Sequence, residues 1–312
     1  MTDFAPHYST ADIALIQRVA KWMTERNYSQ AALARLARIS ASSLNQILKG
    51  SYATSPAKLL AAVQQAMEHA EESNSEVLAP VETSVYKLAV SSCKMARRYR
   101  NFAVFTGFVG TGKTLAIKHY TRTHPNTYLI EATPTMTPQS LVKLLARVVA
   151  GFDGKGSIDD KFRAVIDSLR DTDSLLIVDE AETLTAHQLH TLRRLRDLAN
   201  IGVVLCGTEH LSGLIKPLHG QFDQIRSRTG FWPATVHAIS AEDAAALVQS
   251  NFGTEEVSED VIKRLYQYSK GSARMLVEGL IAGINEFRKG RDLNVALVDA
   301  VAKQALCLQS LA

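Results

Sequence analysis

Short apolar runs alternate with helical periodicity along the middle of the chain. Runs rich in β-branched and aromatic residues occur at 101–106, 128–133, 175–179 and 202–207, with a weaker one at 235–239. Such runs are typical of buried strands. Apolar residues recur at helical spacing between them, over 114–123, 138–150, 158–170 and 185–199. Strands that alternate with helices predict an α/β fold with a parallel, doubly wound sheet.

Both ends of the chain lack strand signals and are predicted to be helical. After the last run, helical patterns occur at 241–252, 258–269, 273–289 and 295–304. The stretch 70–84 is polar and acidic, contains Pro80 and lacks apolar periodicity, so we interpret it as a linker. We therefore expect an N-terminal helical domain at 1–69, the linker at 70–84, an α/β core at 85–239 and a helical domain at 240–312.

The composition is that of a globular protein. The chain has 312 residues, of which 46% are hydrophobic and 21% charged, and this excludes a disordered or fibrous protein. Its 3 cysteines are far apart and indicate neither a disulfide framework nor a metal knuckle. Apolar runs stay well short of the roughly 18 residues of a membrane span, and 1–9 lacks the pattern of a signal peptide. We expect a soluble cytoplasmic protein without a membrane partner.

A glycine-rich motif follows the first strand and precedes a helix, which is the context that a phosphate-binding loop requires. The residues that match G-x-x-x-x-G-K-[ST] are Gly107, Phe108, Val109, Gly110, Thr111, Gly112, Lys113 and Thr114. The glycines let backbone N–H groups surround phosphates, and the helix N-terminus adds positive potential. Lys113 is predicted to reach the β- and γ-phosphates of ATP, and the Thr114 hydroxyl to ligate Mg²⁺.

Two carboxylates end the third apolar run, at Asp179 and Glu180. In a parallel sheet this position lies at the carboxyl edge, where ligands bind. We expect Asp179 to hold Mg²⁺ and Glu180 to orient and polarise the attacking water as a general base. An N-cap role for the pair in the following helix is the alternative.

Together these motifs resemble those of the AAA+ ATPases, over about residues 85–305. The resemblance implies a P-loop core with a helical lid, a weak ATPase activity that DNA or a partner stimulates, and an active homo-oligomer, either a ring or a helical filament. Thr208 stands where the family senses the γ-phosphate. Arg226 or Arg228 stands where an arginine reaches the neighbouring subunit's ATP, and Arg274 of Gly271-Ser-Ala-Arg matches the lid arginine.

The N-terminal domain contains a second motif. Ser29 can cap a helix, and Ser40 can cap another that Gly50 ends. This resembles the repressor-type helix-turn-helix, with Arg38 where the family's turn commonly has Gly. The predicted DNA-contacting residues on the second helix are Ser42, Ser43, Asn45, Gln46 and Lys49. A helical hairpin, used for packing or for protein contacts, is the alternative.

Positive charge is concentrated in parts of the chain, although the net charge is only +4. Between Glu82 and Glu131 there is no acidic residue. The basic residues that we expect to neutralise DNA phosphates are Lys94, Arg97, Arg98 and Arg100 in that stretch, and Lys155, Arg193, Arg194 and Arg196 beyond it. A solvated basic surface is the alternative. None of these residues indicates base readout, so affinity for DNA should be sequence-independent and salt-sensitive.

The order helix-turn-helix, linker, AAA+ core and lid resembles the Mu B-type family of transposition target-DNA activators, and more distantly the TnsC and IstB transposition ATPases. That resemblance implies ATP-dependent binding of double-stranded DNA, delivery of this DNA to a transposase, and a place in the cytoplasm of a bacterial host. Two other functions stay open. One is a helicase loader, and the other is a transcription regulator whose helix-turn-helix reads an operator under control of the ATPase.

Overall fold

The computed structural model describes residues 4–25, 28–76, 80–152, 155–170, 172–216 and 222–308. Its N-terminal part consists of the helices α1 (Thr10–Glu25), α2 (Gln30–Leu36), α3 (Ala41–Leu48) and α4 (Ala57–Glu76). Each helix contributes buried apolar side chains to one cluster, among them Val19, Leu33, Leu44 and Val63. The four helices therefore have a hydrophobic core of their own.

The helix-turn-helix begins and ends as the sequence predicts. The Ser29 Oγ accepts a hydrogen bond from the Ala32 amide at 3.1 Å, and the Ser40 Oγ accepts one from the Ser43 amide at 2.9 Å. Arg38, in the turn between α2 and α3, has a φ of 55°. This left-handed backbone explains why glycine is common at that position, since other residues adopt it only with strain.

Part of the predicted linker is helical. Helix α4 continues to Glu76, and the next helix, α5 (Ser84–Tyr99), begins at the last residue of the predicted linker. Residues such as Glu71 and Glu72 are good helix formers without being apolar, and therefore leave no periodic signal. Residues 77–79 lie outside the described part of the chain. The domain boundaries remain predictions.

The core is a five-stranded sheet, in the order β2-β3-β4-β1-β5, with parallel pairing throughout. Its strands are β1 (Phe102–Thr106), β2 (Thr127–Glu131), β3 (Leu175–Asp179), β4 (Gly202–Gly207) and β5 (Thr229–Phe231). The first four lie within two residues of the predicted runs. This confirms the predicted α/β fold with its parallel sheet.

The predicted position of the fifth strand is wrong. The apolar run predicted it at 235–239, whereas β5 pairs with β1 at Thr229–Phe231. Pro233, which has no amide proton to donate, follows β5 and separates it from the predicted run. Val236 makes only an isolated parallel bridge to Gly107, so the run adds a single bridge just beyond β1 instead of forming the predicted strand.

Helices cover both faces of the sheet. They are α5 (Ser84–Tyr99), α6 (Lys113–Thr123), α7 (Pro138–Ala150), α8 (Ile158–Leu169), α9 (Ala186–Ala199), α10 (Glu209–Ile215) and α11 (Asp223–Arg226). Alternate residues of β1 enter different clusters, with Ala103 and Phe105 on the side of α5 and α6, and Phe102 and Val104 on the side of α7 to α9. The sheet is therefore doubly wound, as predicted.

The chain then forms a helical lid. Its first two helices are α12 (Ala241–Phe252) and α13 (Glu259–Ser269). Helix α14 runs as a π-helix over Met275–Ile281 and as an α-helix over Ala282–Phe287. Helix α15 (Val295–Ala300) continues as a π-helix over Val301–Ala305. These helices share the buried cluster that covers α5 and α6, in which Leu265 and Leu280 are fully buried. Among the described residues, we find no helix that is both long and apolar enough to cross a membrane.

Candidate nucleotide-binding site

The glycine-rich loop connects β1 to α6 at the carboxyl edge of the sheet. Gly110 and Gly112 have φ values of 83° and 98°, which favour glycine. The Phe108 amide donates to the Val236 carbonyl at 2.8 Å, and the Val236 amide donates to the Thr106 carbonyl at 2.9 Å. The segment that was predicted as a strand therefore holds one side of the loop in place.

Lys113 lies beneath this loop. Its Nζ donates to the carbonyl of Gly107 at 2.6 Å and to that of Phe108 at 2.9 Å. Only 8% of the residue is exposed, and burial lowers the pKa of Lys113, although the charges of Asp179 and Glu182 oppose the shift. A phosphate oxygen is a stronger partner for an ammonium group than a neutral carbonyl. The lysine is thus placed to bind an anion in the loop.

The end of β3 lies against the start of α6. The Thr114 hydroxyl donates to Oδ2 of Asp179 at 2.8 Å, and the Asp179 Oδ1 accepts from the Glu180 amide at 3.0 Å. Asp179 is only 4% exposed. A hydroxyl and a carboxylate are hard oxygen ligands of the kind that Mg²⁺ prefers, and Mg²⁺ sites commonly use one or two such groups beside the phosphates. These two residues fit a magnesium site.

Glu180 follows at the same edge with an exposed side chain and a φ of 53°. Partial desolvation by the surrounding protein raises the pKa of Glu180, and the neighbouring charges of Glu131 and Asp179 raise it further. A carboxylate with a raised pKa is a stronger base once it is ionised. Glu180 does not cap the next helix: it precedes the short 3₁₀ turn Ala181–Thr183 without a side-chain bond.

Two polar atoms near this edge have no hydrogen-bond partner among the described residues. They are the Oε2 of Glu182 and the Oγ1 of Thr208, and both atoms are buried. Glu182 reaches β4 because Gly207 has no side chain, since a Cβ there would lie 2.1 Å from Oε2. Glu182 is not among the site residues predicted from the sequence. The third acid in Asp179-Glu-Ala-Glu182 is the signal that could have identified it.

The lid contacts the loop directly. The amide of Arg274 donates to the carbonyl of Gly110 at 2.9 Å, while the Arg274 side chain is 60% exposed and lies 3.8 Å from Glu278. The Gly271 carbonyl accepts from the Ile239 amide at 2.9 Å, which ties the start of the lid to the same segment. The structure therefore brings the lid motif and the phosphate loop together.

The two arginines before β5 lie elsewhere. Arg226 pairs with Asp223 at 3.4 Å, and Arg228 pairs with Asp197 at 3.1 Å. The Arg228 carbonyl accepts from the amide of Phe102, at the first residue of β1. Since a strand rises about 3.3 Å per residue, that end of β1 is roughly 13 Å from the end that leads into the phosphate loop. Both arginines therefore lie at the opposite edge of the sheet from the loop of their own subunit.

The same edge gathers most of the basic residues expected to contact DNA. The Arg196 Nε donates to the Arg100 carbonyl at 2.7 Å, so the end of α9 meets the end of α5. Lys94, Arg98, Arg100 and Arg194 are exposed. Lys155 is exposed as well, but it lies in the loop between α7 and α8. The structure thus unites two basic stretches that are about a hundred residues apart and leaves Lys155 on another element.

Three of those basic residues form hydrogen bonds or ion pairs with other residues of the protein. Arg97 donates to the Pro125 carbonyl at 3.0 Å and to the Thr127 hydroxyl at 2.6 Å. Arg193 and Arg196 both pair with Asp197, at 3.6 Å and 2.9 Å. Their charge still contributes to the surface, but Arg97 has a packing role that its position in a basic run did not indicate.

On helix α3, the residues predicted to contact DNA divide by exposure. Ser42, Gln46 and Lys49 are exposed, whereas Ser43 and Asn45 are half-buried.

The neighbouring helix α2 packs on the α/β core, because the Arg35 guanidinium lies over the Tyr128 ring at 4.8 Å and donates to the Val148 carbonyl. Burial lowers the pKa of Arg35. Nothing in the sequence pattern had identified this contact.

Comparison with known protein families agrees with this geometry. The model of the AAA domain matches residues 96–215, and that of a helix-turn-helix matches 19–64. Among solved structures, the Aeropyrum pernix Orc1 protein in complex with DNA shares the fold with a TM-score of 0.52 at 15% identity, over 74% of this chain and 66% of the other. The Thermotoga maritima RuvB Holliday junction branch migration motor gives 0.50 at 15%, over 71% and 68%.

Two similar proteins are the B proteins of a Mu-like prophage and of phage Mu. The Mu-like prophage FluMu DNA transposition protein B of Haemophilus influenzae is 28% identical over 280 residues, which are 85% of this chain and 95% of that protein. The ATP-dependent target DNA activator B of Escherichia phage Mu is 34% identical over 137 residues, 42% of either chain, so this match spans less than half of the phage protein. The chain thus carries an AAA domain behind a helix-turn-helix and is homologous to the B proteins of Mu-like phages.

Proposed function

We propose that this protein is an ATPase that binds DNA without sequence preference when it holds ATP, assembles on the duplex, and delivers it to a transposase. The observation that carries the proposal is the complete set Lys113, Thr114, Asp179 and Glu180 at one sheet edge. The names of the relatives support it, since the phage Mu protein is an ATP-dependent target DNA activator.

ATP would bind with its phosphates in the glycine-rich loop. Lys113 would exchange its two carbonyl partners for phosphate oxygens, and the amides of the loop would donate to the same groups. Thr114 and Asp179 would hold Mg²⁺, which neutralises negative charge on the phosphates when it is bound. Arg274, attached to Gly110 through its backbone, would bring a further positive charge from the lid.

Hydrolysis requires a base beside the γ-phosphate. Glu180 would accept a proton from the attacking water, whose oxygen forms the new bond to phosphorus as the bond to ADP breaks. Its raised pKa suits this role. The buried hydroxyl of Thr208, which lacks a partner among the described residues, would donate to the γ-phosphate or to that water.

An arginine from a neighbouring subunit completes the site in this proposal. Arg226 and Arg228 are separated from their own subunit's loop by the length of β1, so either can reach a nucleotide only in another copy of the chain. A guanidinium that acts in trans stabilises the transition-state charge. The active form would therefore be a homo-oligomer, a ring or a helical filament, in the cytoplasm of a bacterial host.

Duplex DNA would lie against the basic surface of the protein. Phosphate contacts from Lys94, Arg98, Arg100 and Arg194, and from Lys155 on another loop, give affinity without base readout. The exposed residues of α3 favour one second candidate function, an operator-reading regulator, because Ser42, Gln46 and Lys49 are free to enter a groove. A helicase loader would use the same ATPase site with a helicase as partner.

Electron microscopy of the protein with a long duplex separates these functions. With ATP we expect continuous protein-coated DNA, and with ADP mostly bare DNA. Isolated complexes at one sequence would support the regulator, and closed rings detached from DNA would support the loader. Addition of a Mu-type transposase to the coated DNA should increase strand transfer into that DNA, and no increase would count against the delivery role.

A further inference from the structure

Three guanidinium groups share the carboxylate of Asp197 at the sheet edge opposite the nucleotide site. Arg196 and Arg228 contact Oδ1 at 2.9 Å and 3.1 Å, and Arg193 contacts Oδ2 at 3.6 Å. These side chains are all between 23% and 32% exposed. The cluster is thus half-buried, which makes its ion pairs stronger than those between fully exposed groups.

The three arginines come from elements with different proposed roles. Arg193 and Arg196 belong to α9, on the surface assigned to DNA, whereas Arg228 precedes β5 and is one of the two candidates for the arginine that acts in trans. Asp197 and the Gln224 carbonyl, at 3.0 Å, together fix the direction of the Arg228 side chain. Arg226 is held more weakly, because its ion-pair partner Asp223 lies 3.4 Å away on its own short helix and its hydrogen bond to the Lys216 carbonyl is also 3.4 Å long.

Charge in the cluster is unbalanced, since one carboxylate faces three guanidinium groups. Burial works against ionisation of Asp197, but hydrogen bonds from Arg196 and Arg228 outweigh it and keep the pKa of Asp197 low. The residue is therefore a permanent anion at neutral pH. It lowers the positive potential that α9 presents to DNA, and it holds Arg228 in place.

We propose that Asp197 is a positioning residue that links the DNA-binding surface to the arginine acting in trans, with Arg228 in that role. Its carboxylate positions Arg228 for a neighbour's ATP, and it limits how tightly α9 holds DNA phosphates. This rests on the function proposed above. Loss of the carboxylate should therefore have opposite effects on the two activities, whereas a merely structural defect would weaken both.

The test is the variant Asp197→Asn, which keeps the shape and removes one negative charge. Its affinity for an arbitrary duplex in the presence of ATP should rise several-fold, with a log–log salt dependence steeper by up to about one. Its ATP turnover at saturating DNA should fall about 10- to 100-fold, because a displaced catalytic group costs that much. The control is Asp167→Asn, which removes an exposed acid paired with Arg170 on α8 and should change neither quantity.

A second variant separates the two effects. Asp197→Glu keeps the charge but moves it, so DNA affinity should stay near that of the original protein while turnover falls. In the double variant Asp197→Asn/Arg228→Ala, turnover should equal that of Arg228→Ala alone. Unchanged turnover in both Asp197 variants, or a joint loss of affinity and turnover, would overturn the inference. A failure of the proposed function would instead show in the unaltered protein, which would then neither bind DNA nor hydrolyse ATP.

Discussion

The Thr114 hydroxyl donates to the carboxylate of Asp179 over 2.8 Å and so joins the first turn of α6 to the end of β3. The second oxygen of the same carboxylate accepts from the amide of Glu180. One buried residue thus fixes the proposed magnesium ligand and the backbone of the proposed base. Glu180 itself keeps an exposed side chain, which leaves it free to meet a water molecule.

Glu180→Gln should separate ATP binding from hydrolysis. The amide has nearly the same shape but cannot accept the proton of the attacking water, so turnover should fall about 10²- to 10⁴-fold while the Kd for ATP stays similar. The variant should then persist on DNA in ATP. Turnover by phosphate release and DNA dissociation by anisotropy test this. Normal turnover with rapid dissociation would exclude Glu180 as the base.

The pH dependence of turnover should reflect the raised pKa of Glu180. Only the ionised form accepts a proton, so turnover should fall as the pH drops through that pKa, at a higher pH than for an ordinary glutamate with a pKa of about 4.3. Glu131→Gln removes a neighbouring negative charge and should move this acidic limb to lower pH. Glu242→Gln on α12 is the matched control and should leave the profile unchanged. Superimposable profiles for all three proteins would be evidence against the electrostatic account.

Hydrolysis in trans should be recoverable by mixing two inactive variants. Lys113→Ala lacks a working nucleotide site but keeps its arginines, while a variant with Arg226 and Arg228 both changed to Ala keeps its nucleotide site. Each alone should be nearly inactive. Mixed on DNA, an interface in which the double variant supplies the nucleotide site and Lys113→Ala supplies the arginines contains every group, so turnover should return to a sizeable fraction of normal. No recovery at any ratio, with both variants folded, would argue for arginines that act within one subunit.

Gly202 should be required for packing of α5 against β4. An ideal Cβ at this position would lie 2.4 Å from the Ala96 carbonyl oxygen, and a backbone atom cannot move away easily. Gly202→Ala should lower the free energy of unfolding by about 1–3 kcal/mol. Gly213→Ala in α10 meets nothing within 4 Å and should stabilise by about 0.5–1 kcal/mol. Chemical denaturation measures both, and equal stability of the two variants would contradict the packing.

The order of elements could be predicted because buried parallel strands leave continuous apolar runs, as at Leu175–Asp179. The position of the phosphate-binding loop could also be predicted, because the spacing of its glycines is specific. Strand β5 was missed because Thr-Gly-Phe is short and carries little apolar signal, while the stronger run at 235–239 makes only one isolated parallel bridge beside the end of β1. The local pattern of apolar residues does not show which strand an apolar run pairs with.

The pairing of charged residues that are far apart in the chain could not be predicted from the sequence either. Arg97 is part of a basic run, yet it donates to Pro125 and Thr127, and nothing in the sequence pattern indicates that Asp197 pairs with Arg228. Such contacts depend on how elements some thirty residues apart meet in space. The basic character of the surface could be predicted from where the basic residues lie along the chain, but the sequence did not show which arginines form ion pairs within the protein.

The measurement that tests the central claim most directly is the DNA affinity of the protein with ATP, with ADP and without nucleotide, on two duplexes of unrelated sequence. We predict similar, salt-sensitive Kd values for the two duplexes in ATP, much weaker binding in the other two states, and no ATP effect in Lys113→Ala. Affinity that is the same with and without ATP, or that is confined to one duplex, would contradict the account.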